Sequence, residues 1–155
     1  MYRILIYSFL FFAIDQLSKW LVVFYLQLST KLKIDLNNQF LNFHMAWNKG
    51  INFGLFESDS LAQVYFLFLV SILISLALFL WVRNTKIFGV QLSSSLVIGG
   101  AVGNAIDRLL YGSVADFINL TCCGVENPFS FNIADVFIFL GVIGLIYFRF
   151  DEEID

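Results

Sequence analysis

The sequence predicts an all-α membrane protein, a bundle of four transmembrane helices with a small β element on the membrane surface. Two observations favour this fold class. Of the 155 residues, 59% are hydrophobic and only 14% are charged, whereas soluble domains carry about 25% charged residues. A soluble chain of this length could not bury so many apolar side chains. The apolar residues are also gathered into long stretches that two more polar stretches interrupt.

Four apolar stretches are candidates for membrane-spanning helices, at about 4–26, 61–82, 87–110 and 133–149. A helix rises about 1.5 Å per residue, so about 20 residues cross a hydrocarbon core of about 30 Å. The stretch at 4–26 lacks the short apolar region and the small-residue cleavage site of a removable leader, and we expect it to be retained. A single domain over residues 1–155 is therefore predicted.

Two polar stretches, at about 27–60 and 111–132, connect the predicted helices on one side of the membrane. In the first, alternating apolar and polar residues in KLKIDL and QFLNFHMAW indicate short strands. Lys and Arg are slightly more frequent beside the opposite ends of the spans, and cytoplasmic segments carry the excess of these residues. We therefore expect cytoplasmic termini and two extracytoplasmic polar stretches.

The composition disfavours several classes of site. A net charge of −3 gives no basic surface for nucleic acid. The two cysteines, Cys122 and Cys123, are neighbours, which makes a disulfide between them difficult, and we predict unpaired loop cysteines. His44 is the only histidine and has no G-x-S-x-G context beside it, so nothing supports a Ser-His or Cys-His nucleophile. We predict no metal and no cofactor.

Ionisable residues lie within the predicted spans, where each costs at least about 2.5–3.5 kcal/mol at a helix centre. Asp15 and Lys19 are four residues apart in the first span, so they share a helix face and can form an ion pair. This pair could only neutralise two charges, or it could also line an active cavity. Asn104, Asp107 and Arg108 likewise share one face of the third span.

Asp116 and Asp135 are the candidate catalytic pair. The first follows the third span and the second begins the fourth, so both are expected at the same depth. Two carboxyl groups close together in a low-dielectric cleft share a proton. The ionised group can then take a proton from water while the protonated group polarises a carbonyl, as in aspartic proteases. Spacing alone favours a different interpretation, in which both aspartates cap helices and face water.

Five motifs in this order resemble the bacterial signal peptidase II family over nearly the whole chain. They are D-Q-x-S-K at 15–19, N-x-G-x-x-F-G at 48–54, G-N-x-x-D-R at 103–108, V-x-D-F at 114–117 and F-N-x-A-D at 131–135. Each motif alone is weak, whereas all five in order are specific. One departure is Asn52, where the family often has a small residue, and it affects the surface segment rather than the chemistry.

The resemblance implies a membrane aspartyl endopeptidase, a lipoprotein signal peptidase. Its substrates would be prolipoproteins whose cysteine carries a diacylglyceryl group, cut at the bond just before that cysteine. By motif position, Asp116 and Asp135 match the family's catalytic pair. The remaining motif residues would bind substrate or support the pair, with Asp107 supporting Arg108: Asn104, Arg108, Asn132, Asp15, Lys19, Asn48 and Asp107.

The resemblance also implies a fold, partners and a location. The polar stretch at 27–60 matches a small extracytoplasmic β-sheet cradle. Membrane lipid and the cyclic peptide inhibitor globomycin would be partners, in addition to the substrate. The protein would lie in the bacterial cytoplasmic (inner) membrane as a multi-pass protein, with its active site near the extracytoplasmic face. We expect a monomer.

Two other classes of function remain as alternatives. One is a small proton-coupled transporter that uses the intramembrane Asp, Lys and Arg residues as a relay. The other is a non-enzymatic membrane subunit, in which the polar residues only hold helices together. Both alternatives predict that Asp116→Asn and Asp135→Asn leave prolipoprotein cleavage intact.

Overall fold

A computed structural model describes residues 2–36, 40–50, 60–121 and 127–150. Its helices are α1 (Tyr2–Lys19), continued by a π-helical segment (Trp20–Tyr25), and then α2 (Leu28–Lys31), α3 (Leu61–Val82), α4 (Phe88–Tyr111) and α5 (Ile133–Phe150). Its strands are β1 (Lys33–Asp35), β2 (Leu41–Asn48) and β3 (Val114–Leu120). Cys122, Cys123 and positions 51–54 of the second motif, with Asn52 among them, lie outside the described residues.

Three helices of the described chain are long and apolar enough to cross a membrane: Tyr2–Tyr25, Leu61–Val82 and Phe88–Tyr111. They agree with the first three predicted spans to within two residues. Helix α5 occupies the position of the fourth, but its apolar part, Ile133–Phe148, is shorter and extends over only about 24 Å. The fourth span therefore stays a prediction.

Helix α4 is the centre of the fold and packs against α1, α3 and α5. Two adjacent glycines allow neighbouring helices to approach it closely. A Cβ atom added at Gly99 would lie 2.7 Å from the carbonyl oxygen of Ser8 in α1, and one at Gly100 would lie 2.6 Å from that of Ala134 in α5. Small residues at such contacts are typical of membrane helix packing.

The three strands form one antiparallel sheet in the order β1-β2-β3. Strands β1 and β2 confirm the short strands predicted in the first polar stretch. Strand β3 comes from the second polar stretch, where the sequence pattern predicts none, so the sheet joins the two stretches. A buried apolar cluster packs the sheet on the π-helical segment and α2: Val22, Val23, Leu28, Met45, Ala115 and Phe117.

The chain that precedes α5 is fixed against β3. Ile118 and Phe131 form an antiparallel bridge, in which the Ile118 N–H donates to the Phe131 carbonyl at 2.8 Å and the Phe131 N–H donates back at 3.0 Å. The Ser130 hydroxyl donates to the His44 carbonyl at 2.9 Å. These contacts bring the start of α5 beside the strand that carries Asp116.

Candidate active site

Asp116 is a strand residue, and its carboxyl group is buried with 3% of the residue exposed. Its Oδ1 accepts a hydrogen bond from Asn132 Nδ2 at 2.6 Å, and its Oδ2 accepts one from Asn48 Nδ2 at 3.1 Å. Asn48 pairs with Val114 in the sheet, which makes Asn48 and Asp116 diagonal neighbours across two strands. The interpretation of Asp116 as a helix cap that faces water is wrong.

Asp135 lies in the first turn of α5 and is half-buried. Its N–H donates to Asn132 Oδ1 at 3.0 Å, and its Oδ2 accepts from the Asn132 N–H at 3.2 Å. This exchange is the capping-box pattern of a helix N-terminus, so Asp135 does cap a helix, as the spacing suggested. Its other oxygen, Oδ1, accepts from Asn104 Nδ2 at 2.9 Å, which connects the cap to α4.

Asn132 connects the two candidate catalytic carboxyl groups. Its side-chain amide donates to Asp116, its backbone N–H donates to Asp135, and the same amide donates to Asn104 Oδ1 at 3.2 Å. Asn132 is fully buried, so these bonds are made away from water. The structure thus brings Asp116 and Asp135 to the same asparagine from β3 and α5.

Lys19 lies near the Asp116 and Asp135 carboxyl groups and is also buried, with a set of polar contacts of its own. Its Nζ lies 2.8 Å from Asp15 Oδ2, 2.8 Å from Asp107 Oδ2 and 2.9 Å from Asn104 Oδ1. The predicted ion pair between Asp15 and Lys19 is confirmed. The ammonium group donates hydrogen bonds to Asp15 and Asn104, and Asp107 is its second ion-pair partner.

The two carboxylates around Lys19 also hold neighbouring elements together. Asp15 Oδ1 accepts from the Ala134 N–H at 3.0 Å, which ties α1 to the start of α5. Asp107 Oδ2 accepts from the Ala115 N–H at 3.3 Å, which ties the end of α4 to β3. The sequence interpretation made Asp107 a support for Arg108. The charge of Asp107 does act on Arg108, and Asp107 also forms an ion pair with Lys19.

Gln16 belongs to this group, although the sequence interpretation did not select it. Its Nε2 lies 3.0 Å from Asp107 Oδ1, 3.2 Å from Asp15 Oδ2 and 3.3 Å from the Gly103 carbonyl oxygen, and its two N–H donors are shared among these three acceptors. Because a glutamine is neutral, its presence in a span gives a weaker signal than a charge does. Its place in the D-Q-x-S-K motif was the available clue.

Arg108 is buried and connects α4 to the end of β2. One terminal nitrogen donates to the Gly50 carbonyl at 2.9 Å, and the other donates to the Asn104 carbonyl one turn back in α4 at 3.2 Å. Its charge acts on both candidate carboxyl groups, Asp116 and Asp135. The structure therefore collects all nine predicted site residues into one connected region.

The protonation of Asp116 follows from its surroundings. Burial raises the pKa of this carboxyl group, and the nearby Asp135 carboxylate raises it further, to about 7. The amide donors of Asn48 and Asn132 act in the opposite direction. A carboxyl group with this pKa can hold a proton near neutral pH, whereas an ordinary aspartate is ionised there. Within the described residues, no three His, Cys, Asp or Glu side chains are grouped so as to hold a metal ion.

Comparison with known proteins identifies similar membrane enzymes. A family model described as signal peptidase (SPase) II matches residues 7–150. A lipoprotein signal peptidase of Methylobacterium radiotolerans is 40% identical over 109 residues, which are 69% of this chain and 62% of that protein. One of Rickettsia conorii is 42% identical over 134 residues, 86% of this chain and 65% of that protein. The match thus spans slightly less than two thirds of the length of these relatives.

The fold is also similar to that of a solved structure. A protein described as a bacterial membrane enzyme, solved by the in meso method, superimposes with a TM-score of 0.76 at 26% identity. The match covers 97% of this chain and 88% of that one. The arrangement of helices and sheet described above is therefore shared with a bacterial membrane enzyme.

Proposed function

Because this chain belongs to the signal peptidase II family, we propose that it is a membrane aspartyl endopeptidase that removes signal peptides from diacylglyceryl-modified prolipoproteins. The observation that carries the aspartyl assignment is the pair of carboxyl groups, Asp116 and Asp135, hydrogen-bonded to one buried asparagine. The relatives compared above are named peptidases, which gives no support to the transporter alternative.

The proposed reaction is attack of water on the peptide bond before the lipidated cysteine. The ionised carboxylate takes a proton from the water, whose oxygen bonds to the carbonyl carbon, while the protonated carboxyl group gives its proton to the carbonyl oxygen. In the second step, one hydroxyl of this tetrahedral diol gives its proton to the carboxyl group that is now ionised. The carboxyl group that took the water proton passes that proton to the amide nitrogen. The C–N bond breaks, a new carboxyl end and a free cysteine amine leave, and the pair again holds one proton.

The surrounding polar residues are proposed to hold this pair and the substrate. Asn48, Asn104 and Asn132 donate to the carboxyl groups and keep them in place. Arg108 supplies a positive charge beside the two aspartates and fixes the chain at Gly50. Such preorganised donors act where negative charge develops during acyl transfer.

We further propose that α5 is a fourth span, completing a four-helix bundle with cytoplasmic termini. Asp107 and Arg108 lie in the last turns of α4, Asp135 lies in the first turn of α5, and the sheet joins the two polar stretches at this same end. A site at the extracytoplasmic surface of the inner membrane lets the substrate's acyl chains stay in lipid while the peptide bond meets water. Globomycin would occupy the same site, and the protein would act as a monomer.

The test is a cleavage assay in detergent with a diacylglyceryl prolipoprotein. We expect wild-type protein to cut it, and Asp116→Asn and Asp135→Asn each to reduce the rate by at least about 100-fold, because each removes one proton-transfer group. Asp35→Asn is the matched control, since Asp35 is an exposed carboxylate of β1 whose ion pair is with Lys33. A folded wild-type protein without activity, or an active variant at Asp116 or Asp135, would contradict the proposal.

A further inference from the structure

The two candidate catalytic carboxyl groups have equal numbers of described hydrogen bonds, and the Lys19 charge acts on both, but their hydrogen-bonded paths end on different groups. Asp116 accepts from the side chains of Asn48 and Asn132. The Asn48 amide is oriented by a neutral donor, because its Oδ1 accepts from the Gly50 N–H at 3.0 Å. The hydrogen-bonded path from Asp116 through Asn48 therefore ends on backbone.

The corresponding path from Asp135 ends on a buried cation. Asp135 Oδ1 accepts from Asn104 Nδ2 at 2.9 Å, and Asn104 Oδ1 accepts from the Lys19 ammonium, also at 2.9 Å. Asn132 Nδ2 donates to the same Oδ1 at 3.2 Å. The Asn104 amide thus has one orientation, because the reversed amide would place its NH₂ group against two donors.

From this difference we propose that Lys19 is a positioning residue, which acts through the Asn104 amide to hold Asp135 as the carboxylate and leave the shared proton on Asp116. The inference rests on the proposed function. It makes Asp135 the group that takes a proton from water, and Asp116 the group that gives a proton to the carbonyl oxygen. It also explains why a lysine is buried beside a hydrolytic pair that it does not touch directly.

The physical basis is the polarisation of hydrogen bonds in series. A hydrogen bond to an ammonium group draws electron density toward Asn104 Oδ1, and this makes the Nδ2 hydrogens better donors to Asp135. In a buried site such an interaction is stronger than it is in water. The ionised form of Asp135 gains more from it than the protonated form does.

The other charges around Asp135 come from three elements. Asp15 in α1 and Asp107 in α4 contact the Lys19 ammonium itself, which also donates to Asn104. Arg108 in α4 adds a second positive charge that acts on both aspartates. Asp116 in β3 is the remaining titratable group, and its pKa, raised to about 7, favours the neutral, protonated form near neutral pH.

The test compares the pH dependence of kcat/KM in wild type and in variants of this path. Lys19→Met alone would leave two buried carboxylates without their cation, so the informative variant is Lys19→Met with Asp107→Asn, which removes one charge of each sign. We expect its acid limb to move to higher pH by about one unit, with kcat lowered more than KM is changed. Asn104→Leu, which keeps the Lys19 ion pairs, should move the limb in the same direction.

Two further variants separate charge from shape. Lys19→Arg keeps the positive charge, so its acid limb should stay at the wild-type pH even if its rate falls. Lys33→Met with Asp35→Asn is the matched control, because it removes an exposed ion pair of the sheet; its profile should equal that of wild type. A purely structural role for Lys19 would lower the rate of the variants without moving the limb.

The outcomes distinguish this inference from the proposed function. Folded variants at Lys19 and Asn104 with reduced rates and unmoved acid limbs would overturn the path through Asn104, while an active wild type leaves the peptidase assignment standing. A limb that moves equally in Lys19→Arg would also overturn it, because the charge is retained there. A folded wild-type protein without cleavage would overturn both.

Discussion

Helices α3 and α4 are neighbours of similar length, yet the rest of the protein covers very different fractions of them. In the most apolar 18-residue stretch of α3, 11% of the residues are buried within the protein, against 61% in α4. Helix α3 contains no charged residue, whereas α4 contains the buried Asn104, Asp107 and Arg108. The more hydrophobic helix is thus the one that the protein covers least.

This difference shows how lipid changes the meaning of hydrophobicity. Lipid chains are as apolar as leucine, so an apolar helix gains little by moving from lipid to protein. A polar side chain does gain, because its partners are found only inside the bundle. In this chain, polarity therefore marks the interior and the site, and small residues such as Gly99 and Gly100 let the backbones approach.

The largest expected effect concerns the protonation of the polar interior. Burial raises the pKa of Asp116 to about 7 from its ordinary value of 3.8, so the folded state binds more protons than the unfolded state between these values. The resulting stability is present below about pH 4 and is lost as pH rises through about 7. We expect the free energy of unfolding in detergent to fall by a few kcal/mol between these limits.

Thermal unfolding across this pH range measures the effect. Asp116→Asn should reduce the pH dependence, since an amide does not titrate, whereas the exposed control Asp35→Asn should retain it in full. An unchanged pH dependence in Asp116→Asn would contradict this expectation, because it would show that groups other than Asp116 cause the pH dependence of the unfolding free energy.

A smaller effect is expected from filling the close contact between α4 and α5. In Gly100→Leu the new Cβ would meet the carbonyl oxygen of Ala134 at 2.6 Å, and overpacking of this kind costs about 1–3 kcal/mol. It would also displace the start of α5, so cleavage should fall with stability. Ala77→Leu, at an exposed position of α3, is the matched change and should alter neither quantity. Equal effects in both helices would contradict the contrast between them.

The smallest effect compares two buried serines. The one hydroxyl hydrogen of Ser95 in α4 is shared between the Ile4 carbonyl in α1 at 3.2 Å and the Gln91 carbonyl at 2.6 Å, whereas Ser75 of α3 donates to the Ser71 carbonyl in its own helix at 2.8 Å. Interhelical hydrogen bonds in membranes contribute about 0.6 kcal/mol. Ser95→Ala should therefore lower the unfolding free energy by about this amount, and Ser75→Ala by less. Reversible unfolding in mixed detergent measures both changes. A larger loss of unfolding free energy in Ser75→Ala than in Ser95→Ala would contradict the contrast between the two helices.

The parts of the fold that depend on local pattern were predictable. Apolar length identified the first three spans, and alternation identified β1 and β2. Strand β3 was missed because residues 114–117 are all buried, so the strand shows no alternation of polar and apolar residues. Its partner β2 is also far away in the sequence, and no local signal reports such a pairing.

Within the site, too, contacts between residues close in sequence were predictable and contacts between distant residues were not. The ion pair of Asp15 with Lys19 and the exchange between Asn132 and Asp135 follow from spacings of four and three residues. The contacts from Lys19 to Asn104 and Asp107 join residues more than 80 positions apart, and residue types alone do not report them. The motifs indicated that these residues belong to one site, while the structure shows which atoms meet.

The spacing of Asp15 and Lys19 has a consequence for the way the protein is made. Helix α1 is synthesised and inserted before α4, so it enters the bilayer without Asn104 or Asp107. Its own carboxylate and ammonium can already pair across one helical turn, as they do in the finished protein at 2.8 Å. The first helix can therefore cross the membrane with no net charge at its polar turn, and Lys19 gains Asn104 and Asp107 as further partners once α4 arrives.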